Sequence, residues 1–541
     1  MIGNPETEAT LQKILEEMEH DLEPLRTQYS EASWKASISG TDKDYSAVED
    51  AETNLRLKLS SKELYEELGK LLSDPGVQNI LLRRWAALMR HEIAPNRLPE
   101  ETIVDLVSRQ KKIEVKMNTF RPEVSGQSLT MNQVHEILRT STDMSLRRDA
   151  WEASKKIGPI IAEELVELVR ARNIAARSLG FPDHYRMLLE LQEIDEARLF
   201  SQLGRFADLS EDPFRRMRAN LDRLIADKYK LEAIDLAPWH YSDPFFQEVP
   251  PVYGVNTDPV YEGRGTMEWT QKYFEGVGLS IESILDKGDY LEKDGKHPHA
   301  YCDHIDRNGD VRVLMNLKDN TYWASTSLHE FGHAVYELNI DRSLPHTLRI
   351  PAHTAVTEAV AMFFGRLARD IEWMASMFRL KGSEIKELQK PLAQERKIEK
   401  AILGRWILVM VHFERGFYRD PDYDQQQRWW DLVQRFQLVR PVAGREKEAD
   451  WAVKSHIADA PVYYHNYLLG EWIASQFHEA IIRDLKLEEP PVFHNMHELG
   501  DWFKEKVFTH GAYWEFTELV RNVTGSSPQP DAFINQFFEK I

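Results

Sequence analysis

One cysteine, Cys302, stands among 541 residues. No internal disulfide can form, therefore, and no zinc site can be assembled from thiolates. Long apolar runs are missing too: none approaches the ~18–20 residues that a membrane span requires. Positive charge is in deficit, with 68 Lys and Arg against 88 Asp and Glu, a net charge of −20. A protein that neutralises phosphates needs a basic surface, which excludes nucleic acid as the main partner. The opening stretch Met1-Ile-Gly-Asn-Pro-Glu-Thr-Glu8 lacks the basic start and apolar run of a secretory signal. The expectation is a soluble, cytoplasmic protein with no membrane attachment. No internal repeat, low-complexity segment or obvious linker is visible, so residues 1–541 are expected to form a single helical domain. What is present, 42% hydrophobic residues with 10% aromatic, is ample for a packed core.

Helical periodicity dominates. Leu11, Ile14, Leu15, Met18, Leu22 and Leu25 recur at helical spacing over 6–36. A second helix is expected from Asp42 to about Leu72, ended by Asp74-Pro75-Gly76. Similar patterns cover about 76–92, 99–117, 131–139, 143–156, 158–179 and 195–231. From Leu236 to Tyr261, Pro238, Pro244, Pro250, Pro251 and Pro259 sit among aromatics, which reads as an ordered irregular loop. A helix at about 266–285 leads to the one clear strand signal. The runs His299–Asp303 and Val311–Leu317 flank Arg307-Asn308-Gly309-Asp310, and Asn-Gly between β-prone runs marks a hairpin. Beyond residue 320 the chain is again helical to Ile541, broken near Asp420-Pro421-Asp422 and at Glu488-Glu489-Pro490-Pro491. The fold class is mainly α with one small sheet.

The chemistry concentrates in Leu328-His329-Glu330-Phe331-Gly332-His333. Two histidines four apart on a helix point to one side and can hold one metal ion, and the glutamate between them can reach a water on that ion. Ser325, Thr326 and Ser327 offer N-cap oxygens for this helix, and Ala334, Val335, Tyr336 and Leu338 continue its buried face. A catalytic zinc takes three protein ligands and leaves a position for water. The third candidate is Glu358, in a run from Thr354 to Phe364 without Gly or Pro that reads as a second helix; Glu337 competes for the role. His, His and Glu also accept other first-row ions, but the set suits a single Zn2+.

A second cluster lies about 120 residues beyond: Lys454-Ser-His456-Ile-Ala-Asp-Ala-Pro461-Val-Tyr463-Tyr464-His465-Asn466-Tyr467. Its density of His and Tyr suits interfacial aromatics that cap a helix. Beside a zinc site it also suits hydrogen-bond donors aimed at a developing oxyanion.

Taken together, His329-Glu-Phe-Gly-His333 with Glu358, Lys454-x-His456 and the tyrosines before Gln476-Phe-His-Glu-Ala480 resemble the angiotensin-converting enzyme family of gluzincin peptidases. Glu31-Ala-Ser-Trp34, Trp429-Trp-x-Leu432 and Asn308-Gly-Asp-Val-Arg312 resemble further stretches of that family. The related thimet-oligopeptidase-like group shares the fold and ligands, but its motif usually continues Gly-His-Ala-x-His; here Tyr336 stands in place of that last His. The resemblance implies a large helical ellipsoid with a deep central channel, two interwoven halves flanking the cleft, and N-terminal helices of about 6–117 as a lid. It implies zinc on His329, His333 and Glu358 with Glu330 as the base. Tyr467, counted back from Phe477-His478-Glu479-Ala480, and His456 match the residues that stabilise the oxyanion. Lys454 and Tyr464 match residues that grip the substrate's terminal carboxylate, with one inserted residue between His456 and Tyr464. Gln247 is the candidate for the family's Gln in that grip, and His299 and Ala300 would lie on the substrate-pairing strand. Two departures stand out. Asn466 replaces the chloride-binding Arg, and Met362 replaces the Asp that orients a zinc-binding His, so another group must do so.

The expected function is a zinc-dependent peptidase that removes C-terminal dipeptides from short peptides. An endo-acting oligopeptidase with the same chemistry is the first alternative, and a non-catalytic peptide-binding protein with structural zinc is the second. The sequence leaves the natural substrate and oligomeric state open.

Overall fold

In a computed structural model that describes residues 4–297 and 299–538, helices dominate as expected, and local capping chemistry sets their ends. The first helix is Pro5–Ser39. Asn4 caps it by accepting the Glu6 N–H, and Gly40 closes it at φ +65°, a left-handed conformation that costs glycine nothing. The single helix expected from Asp42 to about Leu72 is in fact two. Ser61 accepts the Leu64 N–H and starts a new helix, so Asp42–Lys58 and Lys62–Ser73 are separate. The helix expected at about 266–285 is likewise interrupted. Thr266–Gly276 ends just before Gly278, at φ +77°, and Glu282–Leu285 forms a short turn beyond it. His184–Leu191, capped by Asp183, and a two-residue hairpin of Glu123–Val124 with Gln127–Ser128 form where periodicity predicts nothing.

The chain divides into two compact units, each drawn from three stretches of sequence. The first comprises Met1–Arg97, Asn256–Lys386 and Leu469–Gln529. Its N-terminal helices bury Leu11, Leu15, Leu22, Leu68, Trp85 and Met89 in one core with Leu348 and Ala512. Arg84 adds a bond from Nε to the Ala512 carbonyl at 2.7 Å. The hairpin lies in this unit, with Tyr301–His304 antiparallel to Val311–Leu314 and Tyr301 opposite Leu314. Arg307 and Gly309 both take positive φ at its turn, and Trp34 of the first helix packs edge-on against Tyr301 at 5.9 Å.

The second unit comprises Leu98–Val255, Glu387–Leu468 and Pro530–Ile541. It holds the long helices Ile157–Ser178 and Glu196–Tyr229, most of Gly382–Arg419, and Gln425–Gln437. Its core is aromatic: Phe413 packs on Trp429 at 5.3 Å and on Trp451 at 5.8 Å, and Trp406 on Trp429 at 5.8 Å. The proline-rich stretch is ordered because buried side chains hold its carbonyls. Arg147 donates to Trp239 O and Tyr241 O, each at 2.9 Å, and Trp151 Nε1 donates to Pro244 O at 3.2 Å. The N-terminal stretch of about 6–117 falls in both units: the helices up to Ile93 lie in the first, and Glu100–Thr119 in the second. Among the described residues no helix is long and apolar enough to cross a membrane.

Candidate active site

The helix bearing the histidines is Thr321–Leu338, longer at its start than the serines suggested. Asn320 is the cap and accepts the Trp323 N–H at 2.9 Å, while Asp258 Oδ1 accepts the Thr321 N–H at 2.9 Å. Ser325, Thr326 and Ser327 therefore lie one turn inside, where their hydroxyls bond elsewhere. Ser325 Oγ donates to Gly365 O at 3.0 Å, Thr326 Oγ1 to Tyr322 O at 2.9 Å, and Ser327 Oγ meets Thr270 Oγ1 at 2.9 Å. Trp323, Ala324, Leu328, Phe331, Ala334 and Val335 bury its core-facing side.

The second helix is Thr354–Gly365, capped by the His353 ring, which accepts the Ala355 N–H at 2.9 Å. Glycine lets the two helices approach closely. A Cβ on Gly332 would stand 3.0 Å from Ala361 Cα, and one on Gly365 would stand 3.3 Å from His329 Cβ. At that spacing the ligand atoms of His329, His333 and Glu358 all lie within 4.8 Å of one another. The two Nε2 atoms are 3.3 Å apart, and His329 Nε2 is 3.7 Å from Glu358 Oε2. Two nitrogens bound to one tetrahedral zinc at ~2.05 Å are about 3.3 Å apart, so the donor set fits that ion.

Thr357 supplies the orienting group that Met362 cannot. Its Oγ1 lies 2.6 Å from His333 Nδ1. With Nε2 turned to the metal position, Nδ1 carries the proton and donates it to the hydroxyl. Burial, and after it the neighbouring His329, hold His333 well below the ordinary imidazole range, which keeps the neutral lone pair that a ligand needs. Glu330 is buried beside this group. Burial, and then the Glu358 carboxylate, push it up to about 8; a dication alongside favours the charged form and draws it down again. Glu337, the competing candidate, is engaged elsewhere. His304 Nε2 accepts the Gly309 N–H at 2.9 Å, so its Nδ1 carries the proton and donates to Glu337 at 3.0 Å. His299 and Ala300 belong to the same unit but precede the strand, which begins at Tyr301. A local bend turns the backbone there: the His299 N–H bonds to His297 Nδ1 at 3.3 Å.

Lys454, His456, Tyr464, Tyr467 and Gln247 all lie in the second unit, where they form one cluster. Lys454 Nζ donates to Gln247 Oε1 at 3.1 Å and sits 5.4–5.8 Å from the ring centres of Phe245, Trp406 and Tyr464. Burial lowers Lys454 to about 8, against the pull of Asp243, Asp459 and Glu248. The His456 ring lies 4.9 Å from Tyr464, which is 5.6 Å from Tyr467. Buried groups brace this segment. Arg172 donates to Ile457 O and Ala458 O, Glu414 accepts the Val462 N–H at 2.7 Å, and Gln192 Oε1 accepts from Asn466 Nδ2 at 3.1 Å. Thr357 and these braces escape sequence reading, since a lone Thr, Gln or Arg carries no motif. Only the position of Thr357 next to Glu358 could have drawn attention to it.

Comparison with known proteins gives two family matches on different parts of the chain. Residues 5–237 match the family described as angiotensin-converting enzyme, and residues 286–538 match peptidase family M3. Among curated relatives, carboxypeptidase 1 of Bacillus subtilis (strain 168) is 22% identical over 257 residues, which is 42% of this chain and 49% of that protein. The angiotensin-converting enzyme of Sus scrofa is 22% identical over 525 residues, 88% of this chain and 38% of that protein. The aligned regions thus span less than half the length of these relatives.

Proposed function

We propose, from the angiotensin-converting-enzyme-like/M3 gluzincin family that these matches support, that this protein is a zinc metallopeptidase releasing dipeptides from the C-terminus of short peptides. The observation that carries the reading is the convergence of His329, His333 and Glu358, with the buried Glu330 beside them as a carboxylate outside the donor set. The two imidazoles would hold the ion through Nε2 and Glu358 through a carboxylate oxygen. Zinc bound there supplies Lewis acidity, drawing the pKa of a ligated water toward ~7 and polarising the scissile carbonyl. Glu330 accepts the proton of the attacking water on its carboxylate and returns it to the leaving amine. Tyr467 and His456 serve as hydrogen-bond donors to the oxyanion, and the backbone at Ala300, which leads into the strand Tyr301–His304, pairs with the extended peptide.

The C-terminal preference rests on Lys454. With Oε1 of Gln247 accepting from Nζ, the Gln247 amide keeps its N–H groups as donors. Ammonium and amide together with the Tyr464 hydroxyl then suit one substrate carboxylate. The name carboxypeptidase borne by one relative points the same way. A second reading is an endo-acting oligopeptidase with the same chemistry; the stretch 286–538 that matches peptidase family M3 includes His329, His333 and Glu358.

The test exposes the zinc-loaded protein and its Glu330→Gln variant to a peptide pool with free and amidated C-termini, read by mass spectrometry with and without chelator. The expected result is chelator-sensitive loss of C-terminal dipeptides from free peptides alone, reduced by at least about 1000-fold in the variant. Internal cuts in both pools would establish the oligopeptidase. A Glu330→Gln variant working at the wild-type rate would sink the mechanism.

A further inference from the structure

Asp243 is 1% exposed, yet none of the roles above uses its carboxylate. Its partners are backbone. Oδ1 accepts the N–H groups of Phe245 at 2.8 Å and Gln247 at 3.2 Å, and Oδ2 accepts those of Gln247 and Glu248, each at 3.0 Å. One buried anion thus gathers three N–H groups from a four-residue turn in which Phe246 takes φ +52°, a conformation that a non-glycine residue keeps only when its surroundings enforce it. The turn is held from its other side as well. Gln437 Nε2 donates to Phe245 O at 3.1 Å and Phe246 O at 2.7 Å. The side chain that leaves this turn toward Lys454 is Gln247.

We propose that Asp243 is a positioning residue for the carboxylate-binding group: it sets the turn that presents Gln247 to Lys454. The inference rests on the carboxylate subsite of the proposed function. Two physical links carry it. The geometric link runs through the backbone, because Gln247 donates its own N–H to both oxygens of Asp243. The electrostatic link is that, of the charges opposing the burial of Lys454, Asp243 acts most strongly; the same carboxylate also favours the charged form of buried Lys155. Removing the charge therefore loosens the amide and weakens the cation together, and a peptide lacking a terminal carboxylate would not sense either change.

The experiment compares wild type, Asp243→Asn, Gln247→Ala and the double variant, all zinc-loaded. Turnover is measured on one peptide with a free and an amidated C-terminus. Calorimetry with a product dipeptide, free or amidated, adds a readout that needs no turnover. Asp243→Asn is expected to lower kcat/KM for the free peptide by about 10- to 100-fold, mainly through KM, with little effect on the amidated one. In the Gln247→Ala background the same change should cost less than in the wild-type background, because the geometric link is gone and only the electrostatic one remains. Equal losses on both peptides, no loss, or full additivity would overturn the proposal. Should Asp243→Asn not fold, Gln437→Leu releases the same turn and must reproduce the split between free and amidated peptides. If wild type itself binds and cleaves both peptides alike, the carboxylate subsite falls and this inference with it. If wild type discriminates and the variants do so equally well, only this inference falls.

Discussion

Thr357 stands next to Glu358, one of the three clustered donors, and determines how another, His333, faces. A hydroxyl 2.6 Å from His333 Nδ1 fixes which ring nitrogen carries the proton. Its replacement should cost about 10- to 100-fold in zinc affinity. Competition with a chromophoric chelator should show this loss for Thr357→Val and recovery in Thr357→Ser; equal affinity in all three would remove Thr357 from the site. Glu414 makes a second residue-level prediction. It is 3% exposed, and burial raises it to about 8 against the Val462 N–H and Arg172. Its folded pKa therefore lies above its unfolded value. The native state binds the extra proton between the two, and stability falls as pH rises from about 4.5 to about 8. Glu414→Gln keeps an acceptor for Val462 and removes the titration. Relative to that variant, wild type should lose on the order of a few kcal/mol between pH 5 and pH 8, seen as a widening gap between their melting temperatures. A constant gap would show that Glu414 is ionised throughout.

The paired helices Thr321–Leu338 and Thr354–Gly365 show what an element contributes. Their separation depends on Gly332, where even a methyl group would meet Ala361 Cα at 3.0 Å. Gly332→Val should cost about 1–3 kcal/mol and weaken zinc binding, because the histidines on one helix move away from Glu358 on the other. At Gly204, in the long helix Glu196–Tyr229, an added methyl group would meet nothing within 4 Å. There Gly→Ala should be neutral or stabilise by up to about 1 kcal/mol. Thermal melts and chelator competition on both variants check the contrast, and a zinc affinity unchanged in Gly332→Val would refute it. The first helix was legible in the face that Ala334, Val335, Tyr336 and Leu338 continue, of which the first three are buried and Leu338 only half-buried, and the second in a run from Thr354 to Phe364 without Gly or Pro. Periodicity could not find their ends. Asn320 begins the first helix one turn before the serines, and Ser61 splits a stretch whose apolar pattern runs on unbroken.

At the scale of the molecule, each unit is assembled from three separated stretches, and His329, His333 and Glu358, the candidate metal cluster, all fall in the first. An ion that binds only the folded arrangement stabilises it by about 4 kcal/mol at a thousandfold excess over its Kd. Chelation should therefore lower the melting temperature and raise hydrogen exchange in 321–338 and 354–365, with the long helices of the second unit little changed. Mass-resolved exchange of the zinc-loaded and stripped protein would test this; a uniform rise across both units would contradict it.

The sequence by itself determined the mainly helical class, the hairpin and the four-residue spacing of His329 and His333. These depend on neighbours within a turn or two, where propensity and periodicity act. The tertiary structure alone decided that His304 draws off Glu337, that Thr357 orients His333, and that Gln247 meets Lys454 across 207 positions of sequence. Such pairings are set by how distant stretches pack, and no local pattern of residue types encodes that packing.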